Sequence, residues 1–435
     1  MIKMIFKQLW NQRKMNLWIF LEMLAVCFFL WLVIDPVYVL MTNKLTDRGY
    51  EVKGRYVVDL GEYIPGHGKR NDTLSMDMNT DAFLRIARII RNCPEVESIS
   101  LSGNNAFPNA SGYYTSRYAT DTTKVAQDNA VNAQWFLNNI RENSDFFRTY
   151  GMKDARTGKD MVIPTDLTER PQCFISAELA RKLFGSIEVV GKKIHEGTFA
   201  TYEIAGVFED YKHRDYEPPV ALVVRLGKEF MTSPKRINHK IVFKIKDHVN
   251  TEAFENRFMK EIAPQLEIGN YYLKRLKTFE EVSHEMAKIS KIYVKLNTKF
   301  SLAFFALLSI FLGTLGTFWV RCDERKQEIG VMRSIGASKS VIIRQYFIET
   351  GLLVTLAAVC ILPVLLHYVY VSGMYQEGNT IPGASKVVWG LEVVPHFCMV
   401  YLFTYLIILL IALIGTYLPV NRALKVHPVE ALREE

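Results

Sequence analysis

Few side chains in this chain could do chemistry, and none falls into a catalytic pattern. A phosphate-cradling loop needs glycines at fixed spacing and a lysine followed by a hydroxyl, so that backbone N–H groups ring the phosphate. Gly66-His67-Gly68-Lys69 has the residue types without the spacing or the hydroxyl, and reads as a surface loop. A zinc-binding helix needs two histidines four residues apart. His195-Glu196 and His284-Glu285 each lack the second histidine, and no G-x-S-x-G elbow is present. His213-Arg214-Asp215-Tyr216-Glu217 offers an imidazole and two carboxylates, and reads as a solvated loop. Of the six cysteines, Cys27, Cys360 and Cys398 lie in apolar runs and Cys322 in a basic segment. Only Cys93 and Cys173 could meet an oxidising compartment, as a pair or as two buried thiols. The chain is not read as an enzyme, and no metal or cofactor site is expected on it.

Two acids stand out by position. Glu22 and Glu349 lie in or beside long apolar runs, where a carboxylate costs roughly 2.5–3.5 kcal/mol at mid-bilayer and less near an interface. Either both sit near headgroups or pair with Arg13 or Arg344, or they make bundle-facing hydrogen bonds that hold a dimer or relay motion.

The elements that must position these groups follow from a partition in the sequence. The 435 residues are 49% hydrophobic and 23% charged, but the apolar residues are concentrated in runs at 17–34, 300–320, 351–371 and 393–418. Each is long enough to cross a hydrocarbon core of about 30 Å. That excludes a wholly soluble enzyme. The polar stretch at 41–297 argues against a transporter built wholly from helices, and the lack of charge near mid-span argues against an autonomous ion-coupled transporter. Lys3, Lys7, Arg13 and Lys14 precede the first run, and Arg321, Arg325, Lys326, Arg333, Lys339 and Arg344 follow the second. The positive-inside rule makes both ends cytoplasmic and 41–297 extracytoplasmic. The net charge of +8 then faces anionic lipid headgroups, and nucleic acid is not needed to explain it. Leu24-Ala25-Val26-Cys27 resembles a lipoprotein cleavage box, but Val26 is too large and the apolar run continues beyond it, so the segment reads as an uncleaved anchor.

The expected fold is a four-span α-helical transmembrane domain with a mixed α+β extracytoplasmic domain inserted between spans one and two. In order along the chain, an amphipathic helix at 1–16 precedes span one at 17–40. The outer domain occupies 41–280, with an inserted lobe at 102–170, and a stalk helix follows at 281–298. Span two is 299–320, a cytoplasmic helix 321–340 and span three 341–371. An outer loop at 372–392, span four at 393–418 and a tail at 419–435 complete the chain. Within the outer domain, 80–92 reads as a helix with Phe83, Ile86, Ala87 and Ile90 facing inward, and 176–185 as a helix between a Ser176 cap and a Gly185 stop.

Val282, Met286, Ile289, Tyr293, Leu296 and Phe300 are spaced 4, 3, 4, 3, 4, a heptad seam that would run unbroken into span two. Two readings stand: a helix packed on its own domain, or a rigid stalk pairing with another helix and carrying motion. Between spans two and three, Cys322 to Ile335 can form a short charged helix stopped by Gly336. It suits docking into a partner's groove, or lies as an interfacial helix without one.

Glu324 to Ser338 (ERKQEIGVMRSIGAS) resembles the signature loop of FtsX-like/MacB-like ABC transporter permeases, the type VII ABC systems. FISAELARKLFGSIEVVGKKI with YEIAGVFED resembles their periplasmic core domain, and the tail from Arg422 to Arg433 resembles their C-terminal end. The resemblance implies a permease working as a homo- or heterodimer with separate ATPase subunits, which hold ATP and Mg²⁺. A periplasmic adaptor or envelope protein is a further possible partner, and the location implied is the inner membrane. Glu324–Ser338 would be the coupling helix, with Glu324, Arg325, Glu328 and Arg333 as charged contacts, Ile329, Met332 and Ile335 as an apolar ridge, and Gly336 as its stop. The output would be mechanotransmission for export, efflux or lipoprotein-type cargo. The alternative is a transmembrane scaffold that activates an envelope enzyme.

Overall fold

The computed structural model describes residues 13–103, 107–121, 130–139, 144–163, 171–197, 200–227, 232–233, 236–237, 239–374 and 393–425. Residues 1–12 of the expected amphipathic helix at 1–16, most of the outer loop at 372–392 and the tail motif beyond residue 425 lie outside these residues, and residues 13–16 are continuous with the first span. The chain forms two units, one of residues Asn43–Lys291 and one of Met1–Thr42 with Ile292–Glu435.

In the first unit, four strands and two helices make a split β-α-β arrangement. Strand β1 (Arg55–Glu62) leads through α2 (Met76–Arg91) to β2 (Val96–Gly103). Helix α1 is Arg13–Leu45. Later in the chain, β9 (His239–Ile245) leads through α5 (Thr251–Arg257) to β10 (Tyr271–Thr278). The strands lie in the order β10-β1-β9-β2, with every neighbouring pair antiparallel. This is the ferredoxin-like interleaving, in which each βα unit straddles a strand of the other. Ser75 caps α2 by accepting from the Met78 N–H at 3.3 Å. Phe83, Ile86 and Ile90 bury their side chains against Tyr56, Ile99, Ile241 and Phe243, which contributes about 1.5–3 kcal/mol per side chain.

Everything between β2 and β9 is an insertion. It carries β3 (Tyr114–Ala119), β4 (Val131–Asn139), α3 (Phe146–Tyr150), β5 (Gln172–Ser176), α4 (Ala177–Phe184), β6 (Lys193–Glu196), β7 (Ala200–Phe208) and β8 (Leu222–Gly227). The lobe expected at 102–170 is therefore only half of the insertion, because strands after residue 170 pair with strands before it. β4 antiparallel to β3 is followed around by β6, β7, β5 and β8, and β8 returns to β4 in parallel register from Gln134↔Leu222 to Asn139↔Gly227. Six strands thus close on themselves, which removes free edges. Ser176 caps α4 through the Leu179 N–H at 3.3 Å, and Gly185 at φ +70° ends it. Cys173 lies in the core of this lobe and Cys93 in the ferredoxin-like core; both are buried free thiols in separate cores. Burial pushes the thiol of each above the usual range.

The second unit is helical. α1, α7 (Ile292–Glu324), α9 (Lys339–Ser372) and α10 (Val393–Ala423) are long and apolar enough to cross a membrane. They share a core containing Met23, Trp31, Val354, Ala357, Val400 and Ile408. Small residues allow close approach where hydrophobic pressure is absent. A Cβ on Gly415 of α10 would stand 2.1 Å from Thr314 Oγ1 of α7, so only glycine fits there. Thr350 of α9 and Thr416 of α10 share a hydroxyl–hydroxyl hydrogen bond of 2.9 Å. Pro363 lies inside α9, and the helix continues through it.

Candidate functional site

The polypeptide reverses between α7 and α9 through a short helix, α8 (Lys326–Ser334). Arg325, at φ −103° and ψ 16°, interrupts the helix expected to run from Cys322, so the charged segment is two helices. Gly336 ends the turn at φ +100°, a conformation that L side chains rarely adopt. Ile329 is 4% exposed and packs with Phe318 and Cys322 of α7, Ile342 and Tyr346 of α9, and Val420 at the end of α10. Met332 is half-buried against the same cluster. Ile335 is 81% exposed.

The expected apolar ridge of Ile329, Met332 and Ile335 is thus not one surface. Steps of three residues rotate around a helix by about 60° short of a full turn, which carries the row from the core to the outside. Among the described residues Glu328, Val331 and Ile335 are exposed on α8 and its end, and Glu324 is exposed at the end of α7. Val331 was not among the expected contacts. Two of the expected charged contacts point elsewhere. Arg325 is buried, and Arg333 Nη1 donates to the Leu424 carbonyl at 2.8 Å, strapping α8 to the end of α10.

Behind α8 lies a buried ion pair. Arg321 Nη1 of α7 bonds Glu349 Oε1 of α9 at 2.6 Å, with side-chain exposures of 0% and 2%. The guanidinium also lies 5.0 Å from the centroid of the Phe318 ring. The sequence singled out Glu349 with two readings, headgroups or pairing with Arg13 or Arg344 on one side and a bundle-facing hydrogen bond on the other; the carboxylate faces the bundle. Its partner is Arg321, 28 residues back along the chain, which the antiparallel return of α9 brings alongside. Glu22 sits against α7 at Gly313, where a Cβ would meet its carboxylate oxygens at 2.3 and 2.4 Å. A third acid was not singled out at all. Asp35 of α1 is buried 2.9 Å from His396 Nε2 of α10, toward the opposite end of the bundle.

The stalk seam does not run unbroken. α6 (Phe279–Ile289) is closed by Ser290, and Lys291 has a φ of +54° before α7 begins at Ile292. The break divides the seam by environment. Val282 and Met286 are buried within residues Asn43–Lys291, while Ile289, Tyr293 and Phe300 are exposed and Leu296 is half-buried. Thr278 and Glu281 form a capping box at the start of α6, with bonds of 3.1 and 2.8 Å.

What holds α6 is the segment expected to be a solvated loop. Lys212, His213, Tyr216 and Glu217 are buried. Asp215 accepts from the Tyr50 hydroxyl at 2.9 Å and the Ser283 hydroxyl at 2.5 Å, and pairs with Arg48 at 3.1 Å. The Tyr216 hydroxyl bonds Ser290 at 2.6 Å, and Lys212 Nζ donates to the carbonyls of Asn43 and Thr46. Desolvation lowers the Lys212 amine, and lowers the His213 imidazole to about 4. The chain enters this unit at Asn43 and leaves it at Lys291, and residues 212–216 clamp the entering and leaving segments to each other. Flanking Tyr211, Tyr216, Pro218 and Pro219 were the available signal, since a solvated loop has no use for two buried aromatic rings.

With this geometry, residues 39–260 match the MacB-like periplasmic core domain and residues 300–428 match the FtsX-like permease C-terminal family. The chain is an FtsX-like permease with a MacB-like periplasmic core domain. The permease is a multi-pass membrane protein, and its curated relatives include the macrolide export ATP-binding/permease protein MacB of Agrobacterium fabrum. That protein is 23% identical over 299 residues, covering 67% of this chain and 42% of the relative. The uncharacterized ABC transporter permease YknZ of Bacillus subtilis is 31% identical over 157 residues, 36% of this chain and 35% of the relative. The permease thus spans less than half the length of these relatives, and an ATPase domain is not covered by it. The periplasmic region of MacB from Actinobacillus actinomycetemcomitans aligns with 55% of this chain and 94% of its own, at 11% identity and a TM-score of 0.33.

Several side chains of the motif fragments in the permease are held in ion pairs and hydrogen bonds. Lys69 bonds Glu267 at 2.7 Å, which holds the Glu267 carboxyl below its ordinary value. His195 Nδ1 lies 2.9 Å from Thr201 Oγ1, and Glu196 pairs with Arg225, whose guanidinium lies 4.1 Å from the Trp135 ring centroid. Glu285 is held below the carboxylate range by Lys277 at 2.6 Å. Among the described residues no cluster of three metal-ligating side chains occurs.

Proposed function

We propose that this permease is the membrane half of an ATP-driven machine. A separate ATPase docks on the exposed face of α8, and ATP-driven closure of two such ATPases is transmitted through α7 and α9 to the outer domain. One observation carries the reading: α8 is seated through Ile329 on a core shared by three spans, directly beside the Arg321–Glu349 pair. Force applied at Glu328, Val331 and Ile335 therefore reaches α7, α9 and α10 together.

In this account α8 faces the cytoplasm and residues 43–291 face outward in the inner membrane, with both termini inside. The basic residues between Arg321 and Arg344 support that orientation. ATP and Mg²⁺ belong to the partner ATPase, and the permease works with a second copy, identical or related. Motion passes through Lys291 into α6. The Asp215 clamp holds the two connections to the membrane together, so they shift jointly and the outer domain changes shape. The relatives named for macrolide export support export as the output, with a periplasmic adaptor or envelope protein as recipient.

The test is co-purification from native membranes in mild detergent, comparing wild type with a Glu328→Lys/Ile335→Asp double variant. Both positions are exposed, so the substitutions leave the packing of Ile329 untouched. Recovery of an ATPase with wild type and its loss with the variant is the expected result. Equal recovery, or no ATPase with either, contradicts the docking face. Recovery of a hydrolase as the main envelope protein would turn the output from export to enzyme activation.

A further inference from the structure

A furrow of about 590 Å³ runs between α9 and α10 on the membrane unit. Its mouth is formed by Ser340 and Arg344, its walls include Phe347, Leu352 and Leu413, and Tyr405 stands at the far end. We propose that this furrow is a binding site for one anionic phospholipid of the leaflet on the α8 side, with its phosphate at Arg344 and an acyl chain along the groove.

Three features select that occupant. The first is charge at one end only. Arg344 is exposed and has no carboxylate partner among the described residues, unlike Arg321, which is paired. An unpaired guanidinium at the end of an apolar furrow matches a phosphate at the end of a hydrocarbon chain. The second is length. Arg344 to Thr355 is eleven residues of continuous helix, about 16 Å at 1.5 Å per residue. Half of a 30 Å hydrocarbon core is about 15 Å, so the furrow runs from headgroup level to about the bilayer midplane.

The third is the way the furrow ends. The Thr355 and Tyr405 hydroxyls hydrogen-bond each other at 3.1 Å, and Thr355 also bonds the Gly351 carbonyl at 2.7 Å. The far end is therefore a satisfied polar pair that needs no water and presents ring and methyl groups to a chain terminus. Gly351 forms the floor, and a Cβ there would have no atom within 4 Å. The space belongs to the groove and is not occupied by the protein's own packing.

Gly351 also supplies the test. Replacing it with leucine sets the Cβ in open space, favours the helix, and directs bulk into the furrow. The full-length permease in mild detergent is titrated with phosphatidylglycerol or phosphatidylcholine and examined by native mass spectrometry, as wild type, Gly351→Leu and Arg344→Ala. Wild type is expected to retain one phosphatidylglycerol per chain in preference to phosphatidylcholine. Arg344→Ala should lose about fivefold of that preference while still retaining lipid. Gly351→Leu should lose retention of both lipids with its thermal stability unchanged. Equal retention of the two lipids by wild type overturns the proposal, as does unaltered retention in Gly351→Leu. A change in the ratio of monomer to dimer in Gly351→Leu, with lipid retention unaltered, would assign the furrow to a second copy of the chain. Lipid retention is read without any ATPase, so this outcome is independent of the docking face on α8.

Discussion

Glu349→Leu keeps the bulk of the side chain and removes both its charge and its ability to accept from Arg321. Both partners are enclosed, and the bond is 2.6 Å long. The guanidinium left behind has no water to replace the carboxylate, and removing one member of such a pair costs about 3–5 kcal/mol. Arg321→Met leaves the carboxylate stranded and costs a similar amount. Arg321→Met/Glu349→Leu removes both charges and fills the space with apolar groups, which is neutral or stabilising for buried pairs elsewhere. The cycle therefore predicts a coupling of at least about 3 kcal/mol between the two positions. The assay is reversible unfolding of the helical unit in mixed micelles by titration with sodium dodecyl sulfate, followed by helicity. Single variants that each cost less than about 1 kcal/mol, or single costs that add in the double variant, would refute the claim that this pair joins α7 to α9.

Other predictions concern the outer domain and its link. His213 and His239 are lowered by burial to about 4 from an ordinary 6.5, so the unfolded chain binds their protons first and stability falls as pH drops from about 6.5 to 4. Each histidine contributes up to about 3 kcal/mol, and the melting temperature between pH 7 and 4.5 should fall; a flat profile contradicts it. Asp215→Asn should cost about 2 kcal/mol, because three donors lose a charged acceptor. Amide exchange across 279–290 should then rise ahead of exchange in β1 and β9. Lys291 holds a left-handed conformation that a side chain strains, so Lys291→Gly should leave the melting temperature equal or slightly higher, and Lys291→Val should lower it by a few degrees.

Much of the fold was legible because it rests on local pattern. The four spans are runs of apolar residues, α2 carries its inward face in the sequence and α4 its Ser176 cap and Gly185 stop, whereas α2 begins at Met76 behind a Ser75 cap, ahead of the expected residue 80. The barrel closure was not legible, since β4–β8 pairing joins residues about 90 apart in the chain and local pattern carries no register at that distance. The stalk was misread for a related reason. Val282 through Phe300 keeps its heptad spacing, yet nothing in residue type at Lys291 announces a left-handed backbone. The α8 segment was singled out by its charges, and its faces were assigned without knowing that α10 ends beside it. That neighbour turns Arg333 inward and leaves Val331 outside. Asp215 was dismissed because its partners, Tyr50 and Ser283, come from distant parts of the chain, and a cluster assembled by topology has no sequence spacing to recognise.

The central claim is that the outward face of α8, and not its buried one, receives an ATPase. It is tested most directly by photo-crosslinking from single sites in native membranes, with the crosslinker placed at Glu328, Val331 or Ile335 and, for comparison, at Ile329 or Met332. Adducts to one ATPase subunit from the first three positions and none from Ile329 are the predicted result. Adducts from Ile329 as strong as those from Ile335, or no ATPase adduct from any exposed position, would contradict it.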